Sequence, residues 1–182
     1  MVKYLVYCVP EEEKFKEIYE TQMFGTGSFN QIPSFRAHIT AYFIDTDVKG
    51  IAKKLGSENP EEQEKNLKHK IEEIVGQTNP FEVSLGRLEY WRPNLVLRAN
   101  ARELTSLHKA IHKTTNRAQL QYAGFKYNPH ITLMRDEELP KKEVKRMHNP
   151  FDGKSFLVES IYLAQKEPKK DWETIDVFQF FT

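Results

Sequence analysis

Cysteine is almost missing from this chain: among 182 residues only Cys8 carries a thiol. That excludes a disulfide framework and a cysteine-rich zinc site. Cys8 lies within KYLVYCV, between Tyr7 and Val9, and reads as a buried small hydrophobe rather than a reactive thiol. Long apolar runs are missing as well, and no segment approaches the ~20 residues that cross a bilayer. The opening MVKYLVYCVPEEEK has an apolar run too short for a signal h-region and no small-residue cleavage site. A cytoplasmic protein with no membrane partner is therefore expected. Nor is there an excess of one charge, since 27 Lys and Arg against 26 Asp and Glu leave +1. A general nucleic-acid coat protein would carry a strong basic excess, so that class is excluded. What remains is ordinary globular composition, 39% hydrophobic, in a chain long enough to bury a real core.

Periodicity divides the chain into alternating elements. KYLVYCV at 3–9 reads as a strand stopped by Pro10, and EEEKFKEIYETQMF after it as a helix. A mixed loop, GTGSFNQIPS, leads to the strand FRAHITAYFID at 35–45. Residues 47–77 carry apolar positions at helical spacing, with Asn59-Pro60 as a break between two helices. FEVSLGRLEYW and LVLRA form a hairpin around Pro93-Asn94. A helix follows at 101–121, then the strand KYNPHITLMR, a short helix in LPKKEVKRMH, and two last strands, KSFLVESIYLAQ and WETIDVFQFF. This order is neither a regular βαβ alternation nor all-β, so an α+β fold is expected over 1–182 as one domain. Trp91 and Trp172 are expected to pack at hairpin ends.

The tripeptide His-Ile-Thr occurs twice, at His38–Thr40 and His130–Thr132, half a chain length apart. Alternate residues of a strand share a face, so each copy presents an imidazole and a hydroxyl with the isoleucine behind them. The spacing implies two similar lobes, each giving one motif strand to a shared cleft. A third match, His112-Lys113-Thr114, falls in the expected helix 101–121, where residues two apart point about 200° from each other and cannot cooperate. It reads as solvated helix surface.

AHIT at 37–40 and PHITLMR at 129–135, with Gly124 upstream, resemble the signatures of the two-histidine (2H) phosphoesterase superfamily. Its LigT-type members are RNA 2',3'-cyclic phosphodiesterases, also called 2',5'-RNA ligases. The resemblance implies a bilobal duplicated α+β fold, with two antiparallel sheets facing a central cleft and helices outside. It departs from the family at Ala41-Tyr42, where an aliphatic residue is commoner, and in the loop 22–34. It also implies hydrolysis of 2',3'-cyclic or 2',5'-linked RNA or nucleotide ends, without metal or other cofactor, by His38, Thr40, His130 and Thr132. In that scheme His38 is the acid and His130 the base, although a near-symmetric site leaves the swap open.

Imidazole, with its ordinary pKa near ~6.5, suits both roles at neutral pH. The threonines would donate to non-bridging phosphate oxygens. Arg135 matches a phosphate-contacting arginine of the LigT branch, but strand parity turns it away from His130 unless the strand ends or bulges. Arg36 and Tyr42 share the parity of His38, and Tyr42 could stack on a base. Lys126 is on the His130 parity across Pro129. Two rivals remain. His108 and His112 have metal-ligand spacing on one helix, yet lack the glutamate of HExxH and any cysteine partner. A module that binds RNA ends or nucleotides without turnover would carry the same four residues. A monomer is the default.

Overall fold

The computed structural model describes residues 2–11, 13, 16–18, 37–45, 55–115, 127–135 and 141–181. Their elements run β1 (Lys3–Cys8), β2 (Ile39–Asp45), α1 (Pro60–Val75), β3 (Phe81–Trp91), β4 (Asn94–Asn100) and α2 (Arg102–Thr115). They continue with β5 (His130–Arg135), α3 (Lys141–Val144), β6 (Ser155–Val158), β7 (Ser160–Lys166) and β8 (Glu173–Gln179). Most of the expected helix after Pro10, the loop 22–34, the segment 46–54 and the tail of the helix expected at 101–121 lie outside the described residues.

Local chemistry accounts for the element ends. Asn59-Pro60 starts a helix, as the expected break between two helices requires on its C-terminal side. Asn59 Oδ1 accepts from the Glu61 backbone N–H at 3.0 Å, proline occupies the first turn, and Glu61 and Glu62 face the positive end of the helix dipole. Gln63, Leu67, Ile71 and Val75 then recur every four residues and are buried. The hairpin around Pro93 forms as expected, Trp91 pairing with Asn94. The run KSFLVESIYLAQ is two strands, because it changes partners at Glu159.

All eight strands join in one antiparallel sheet of order β6-β3-β4-β5-β2-β1-β7-β8. The two separate sheets expected from the sequence are therefore corrected to two four-stranded halves meeting at β5 and β2. A single residue pair, Ile39 with Ile131, bridges them. Nor do the halves of the sheet follow the halves of the sequence. The β3–β4 hairpin builds the side of the second motif, and β7–β8 returns from the C-terminal region to build the side of the first. Val158 pairs with Phe81 in one half and Ser160 with Gln179 in the other, with only Glu159 between them. Two ends of an eight-stranded sheet can lie that close only if the sheet is strongly curled.

One face of this sheet holds the main core. Ile39, Ile131, Leu97, Val83, Ile161 and Leu163 cluster there with Leu67 and Ile71 of α1 and Leu104, Leu107 and Ile111 of α2. The other face carries a smaller cluster of Leu5, Tyr7 and Ala164. The motif strands thus have a greasy back and a polar front. The pair at the seam has no neighbouring ladder bonds to share its load. Ile131→Ala is expected to lower the unfolding free energy by about 2–5 kcal/mol in urea denaturation. Leu157→Ala, at an exposed position on edge strand β6, should change it by under about 0.5 kcal/mol.

Candidate active site

The bridged pair at the seam is made of the central residues of the two His-Ile-Thr tripeptides. Both isoleucines are fully buried, so strand alternation sends His38, Thr40, His130 and Thr132 to the opposite face. Antiparallel register sets His38 level with Thr132, and Thr40 level with His130. Level neighbours stand ~4.5–5.5 Å apart at Cβ and the diagonal ones, here the two histidines, ~7–8 Å. Three of the four are partly buried and Thr132 is exposed.

Each motif is followed by a bulge. Tyr7 pairs with Thr40 but Val6 with Tyr42, which leaves Ala41 as an extra residue in β2. Val96 pairs with Thr132 but Leu95 with Met134, which leaves Leu133 extra in β5. A bulge shifts the alternation of everything after it. Tyr42 therefore faces the helices, not the cleft that its parity with His38 suggested. It is 5% exposed, its hydroxyl lies 2.7 Å from His112 Nδ1, and its ring packs on His108 and His112. Phe43 takes the front face in its place, in the cluster with Leu5 and Tyr7. In β5 the same shift pairs position 135 with Asn94, and hence with the row of Trp91. Arg36 and Lys126 lie outside the described residues.

The surroundings of the two imidazoles differ. His130 Nδ1–H donates to the Asn128 carbonyl at 2.9 Å, which makes Nε2 the unprotonated nitrogen of the neutral ring. The Trp91 ring meets His130 edge-on at 4.6 Å, and Arg98 is its level neighbour on β4. Burial, and secondly the charge of Arg98, push the His130 pKa below the ordinary imidazole value, against the opposing bond to Asn128. Trp91 Nε1 donates to Glu89 at 2.8 Å and Arg87 Nε to the other Glu89 oxygen at 2.7 Å. Burial opposes the Glu89 charge, but those two bonds and the field of Arg98 hold its pKa below the usual carboxylate range. Around His38 the neighbours are aromatic. Tyr7 contacts it at 5.4 Å and stacks on Tyr162 at 5.2 Å, while Trp172 meets Phe43 at 6.1 Å.

Trp91 does sit at the end of its hairpin, but with its ring against a motif histidine. Reasoning from the sequence missed it and Arg98, because the strand that neighbours β5 is not adjacent to it in the chain. The one available signal was the common parity of Glu89 and Trp91, and it has no meaning until β3 and β4 are placed.

Behind the first motif lies a hydrogen-bonded support. His108 Nδ1–H donates to the Ala41 carbonyl at the bulge, 2.9 Å away, and the Tyr127 hydroxyl donates to the Thr40 carbonyl at 3.0 Å. The Tyr127 ring stacks on His108 at 4.1 Å. Burial drives the Tyr127 pKa far upward, so its phenol stays a donor. Because Tyr127 leads into the second motif while its acceptor belongs to the first, this bond is a second tie across the seam. His108 and His112 thus spend their Nδ1 atoms on Ala41 and Tyr42. Among the described residues no group of three His, Cys, Asp or Glu gathers as metal ligands.

Residues 10–170 match a family model described as the 2'-5' RNA ligase superfamily. No curated protein sequence matches the chain. Among solved structures, TT0787 of Thermus thermophilus is similar with a TM-score of 0.71 at 18% identity, covering 98% of this chain and 97% of that one. A structure described as a phosphoesterase has a TM-score of 0.68 at 17% identity, covering 100% of both chains. E. coli LigT complexed with 3'-AMP has a TM-score of 0.65 at 18% identity, covering 99% of this chain and 98% of LigT. Among the described residues no helix is long and apolar enough to cross a membrane.

The tie across the seam can be tested by removing one atom. Tyr127→Phe keeps the stacked ring and deletes the donor to Thr40. It is expected to cost about 1–3 kcal/mol in urea unfolding, the range for stranding a buried carbonyl, whereas an unchanged midpoint would show that the bond holds nothing.

Proposed function

The chain belongs to the 2'-5' RNA ligase superfamily, and we propose that it is a metal-independent phosphodiesterase acting on 2',3'-cyclic phosphate or 2',5'-linked ends of RNA or of nucleotides. The observation that supports this reading is the Ile39–Ile131 pair: strand alternation from it gives both imidazoles and both hydroxyls one face, as a shared phosphate site needs. Structures of LigT that hold 3'-AMP, ATP and NADP+ suit a nucleotide as substrate.

In hydrolysis of a cyclic phosphate, His130 Nε2 takes a proton from water as the water oxygen bonds to phosphorus. The bond from phosphorus to one ribose oxygen breaks on the opposite side, and His38 gives that oxygen a proton. The assignment of His130 as base is supported by its lowered pKa and by the commitment of Nδ1–H to Asn128. A neutral ring with a fixed tautomer is what a base needs. Thr40 and Thr132 donate to the non-bridging oxygens as charge collects on them. Arg135 adds a cation from the Asn94 row, an arrangement that the Leu133 bulge supports. End joining follows the same course with a 5'-hydroxyl in place of the water, and in its reverse, cleavage of a 2',5' bond back to the cyclic phosphate, the two histidines exchange roles. The protein acts as a monomer in this scheme, since one chain supplies all four groups.

The decisive assay is turnover of a 2',3'-cyclic nucleotide in EDTA, with product analysis for 2'- against 3'-phosphate. Turnover should persist in EDTA and fall by ~10²–10⁴-fold in His38→Ala and in His130→Ala. Tight binding of the nucleotide without turnover in the unmodified protein would instead identify a binding module. The pH profile tests the roles. A base must be neutral, and a lowered pKa keeps His130 neutral further into acid, so the acidic limb of kcat/KM should lie below ~6.5. Arg98→Gln removes one of the two influences that depress it and should move that limb upward. A limb above the ordinary imidazole value would assign the base to His38.

A further inference from the structure

Arg98 stands on the histidine face but outside the reacting quartet. It is level with His130, and β4 lies on the side of β5 away from β2, so Arg98 flanks His130 opposite to His38. Its guanidinium lies over the Trp91 ring, 5.3 Å from the centroid. Trp91 is in turn held by its bond to Glu89 and its edge contact with His130. The neighbouring carboxylate is already occupied, one oxygen by Arg87 and the other by Trp91. Arg98 reaches it only through its field, and among the described residues it forms no ion pair. A guanidinium stacked on a ring keeps its in-plane N–H donors for another partner, and their fork matches phosphate.

Among the described residues the opposite flank shows no such group. Cys8 pairs with Ile39, which brings Val9 level with His38 where Arg98 is level with His130. The quartet is close to two-fold symmetric, but its flanks are a cation on one side and an apolar residue on the other. Arg98 thus offers a place for an anion beyond the reacting phosphate. A bare nucleoside cyclic phosphate has no second phosphate, whereas an RNA end carries one beside the first along the chain.

We propose that Arg98, braced on Trp91, binds a second phosphate of the substrate, so that the site selects ends bearing a phosphate next to the reacting one. The identity of the ligand rests on the phosphodiesterase reading, but the test below reads binding and needs no turnover. Isothermal titration of the full chain compares adenosine 3',5'-bisphosphate with adenosine 3'-monophosphate, and the corresponding 2'-isomers. The bisphosphate of the better-bound isomer should bind about tenfold more tightly, as one charge-assisted bond provides. That ratio should collapse toward one in Arg98→Met and return in part in Arg98→Lys. It should survive in Lys166→Met, which removes a cation from the far half of the sheet. The proposal is overturned if Arg98→Met weakens both ligands equally, if the ratio stays intact, if lysine rescues nothing, if Lys166→Met also abolishes the ratio, or if neither ligand binds. An intact ratio in a protein that turns over no cyclic or 2',5'-linked substrate would sink the catalytic reading and leave the phosphate subsite standing.

Discussion

One contact between two backbones organises this molecule: the antiparallel pair of Ile39 with Ile131. Every feature of the quartet follows from it. The isoleucines face the core, so the residues on either side of them must face the cleft. Antiparallel register then puts each histidine level with the other strand's threonine and diagonal to the other histidine. A slip of two residues would keep all four groups on the same face but would either set the imidazoles level with each other or move them four residues apart. A slip of one would bury them. The Tyr127–Thr40 bond and the packing of α2 behind β2 matter because they resist such slips where the ladder itself supplies a single pair.

Near-symmetry in the backbone leaves chemistry to the neighbours. Both motif strands bulge one residue after the threonine, both have a four-stranded half behind them, and both present the same three residues. What differs is what surrounds each ring. His130 meets an indole edge, a guanidinium and a backbone carbonyl, while His38 meets tyrosine. A cation beside an imidazole disfavours its protonated form, so the flank that would hold a second phosphate is also the flank that tunes His130. The bulges serve the same end from behind. Each frees the strand to turn its following residues over, which in β2 delivers Tyr42 to the helices and Phe43 to the front.

Much of this was legible in the chain. The strands around both motifs, the β3–β4 hairpin and the helix carrying His108 and His112 announce themselves by period and by turn chemistry. The repeat His-Ile-Thr names the four polar groups of the quartet. The failures have definite causes. The parity argument for Tyr42 assumed a regular strand, and one extra residue reverses such an argument beyond it, as the reading of Arg135 allowed for. KSFLVESIYLAQ reads as one strand because alternation persists across Glu159 while the partners change.

Which residues could share a strand face, and which side of each strand is greasy, was readable from the chain alone, because both depend on the covalent period of two residues. That period singles out His38, Thr40, His130 and Thr132. The place of β5 between β4 and β2, the meeting of Ile39 with Ile131, and the gathering of Trp91, Arg98 and Tyr127 around the motifs came from the fold. Those are meetings between residues distant in the chain. They are set by how a curled sheet closes over one core, a property that no local pattern encodes.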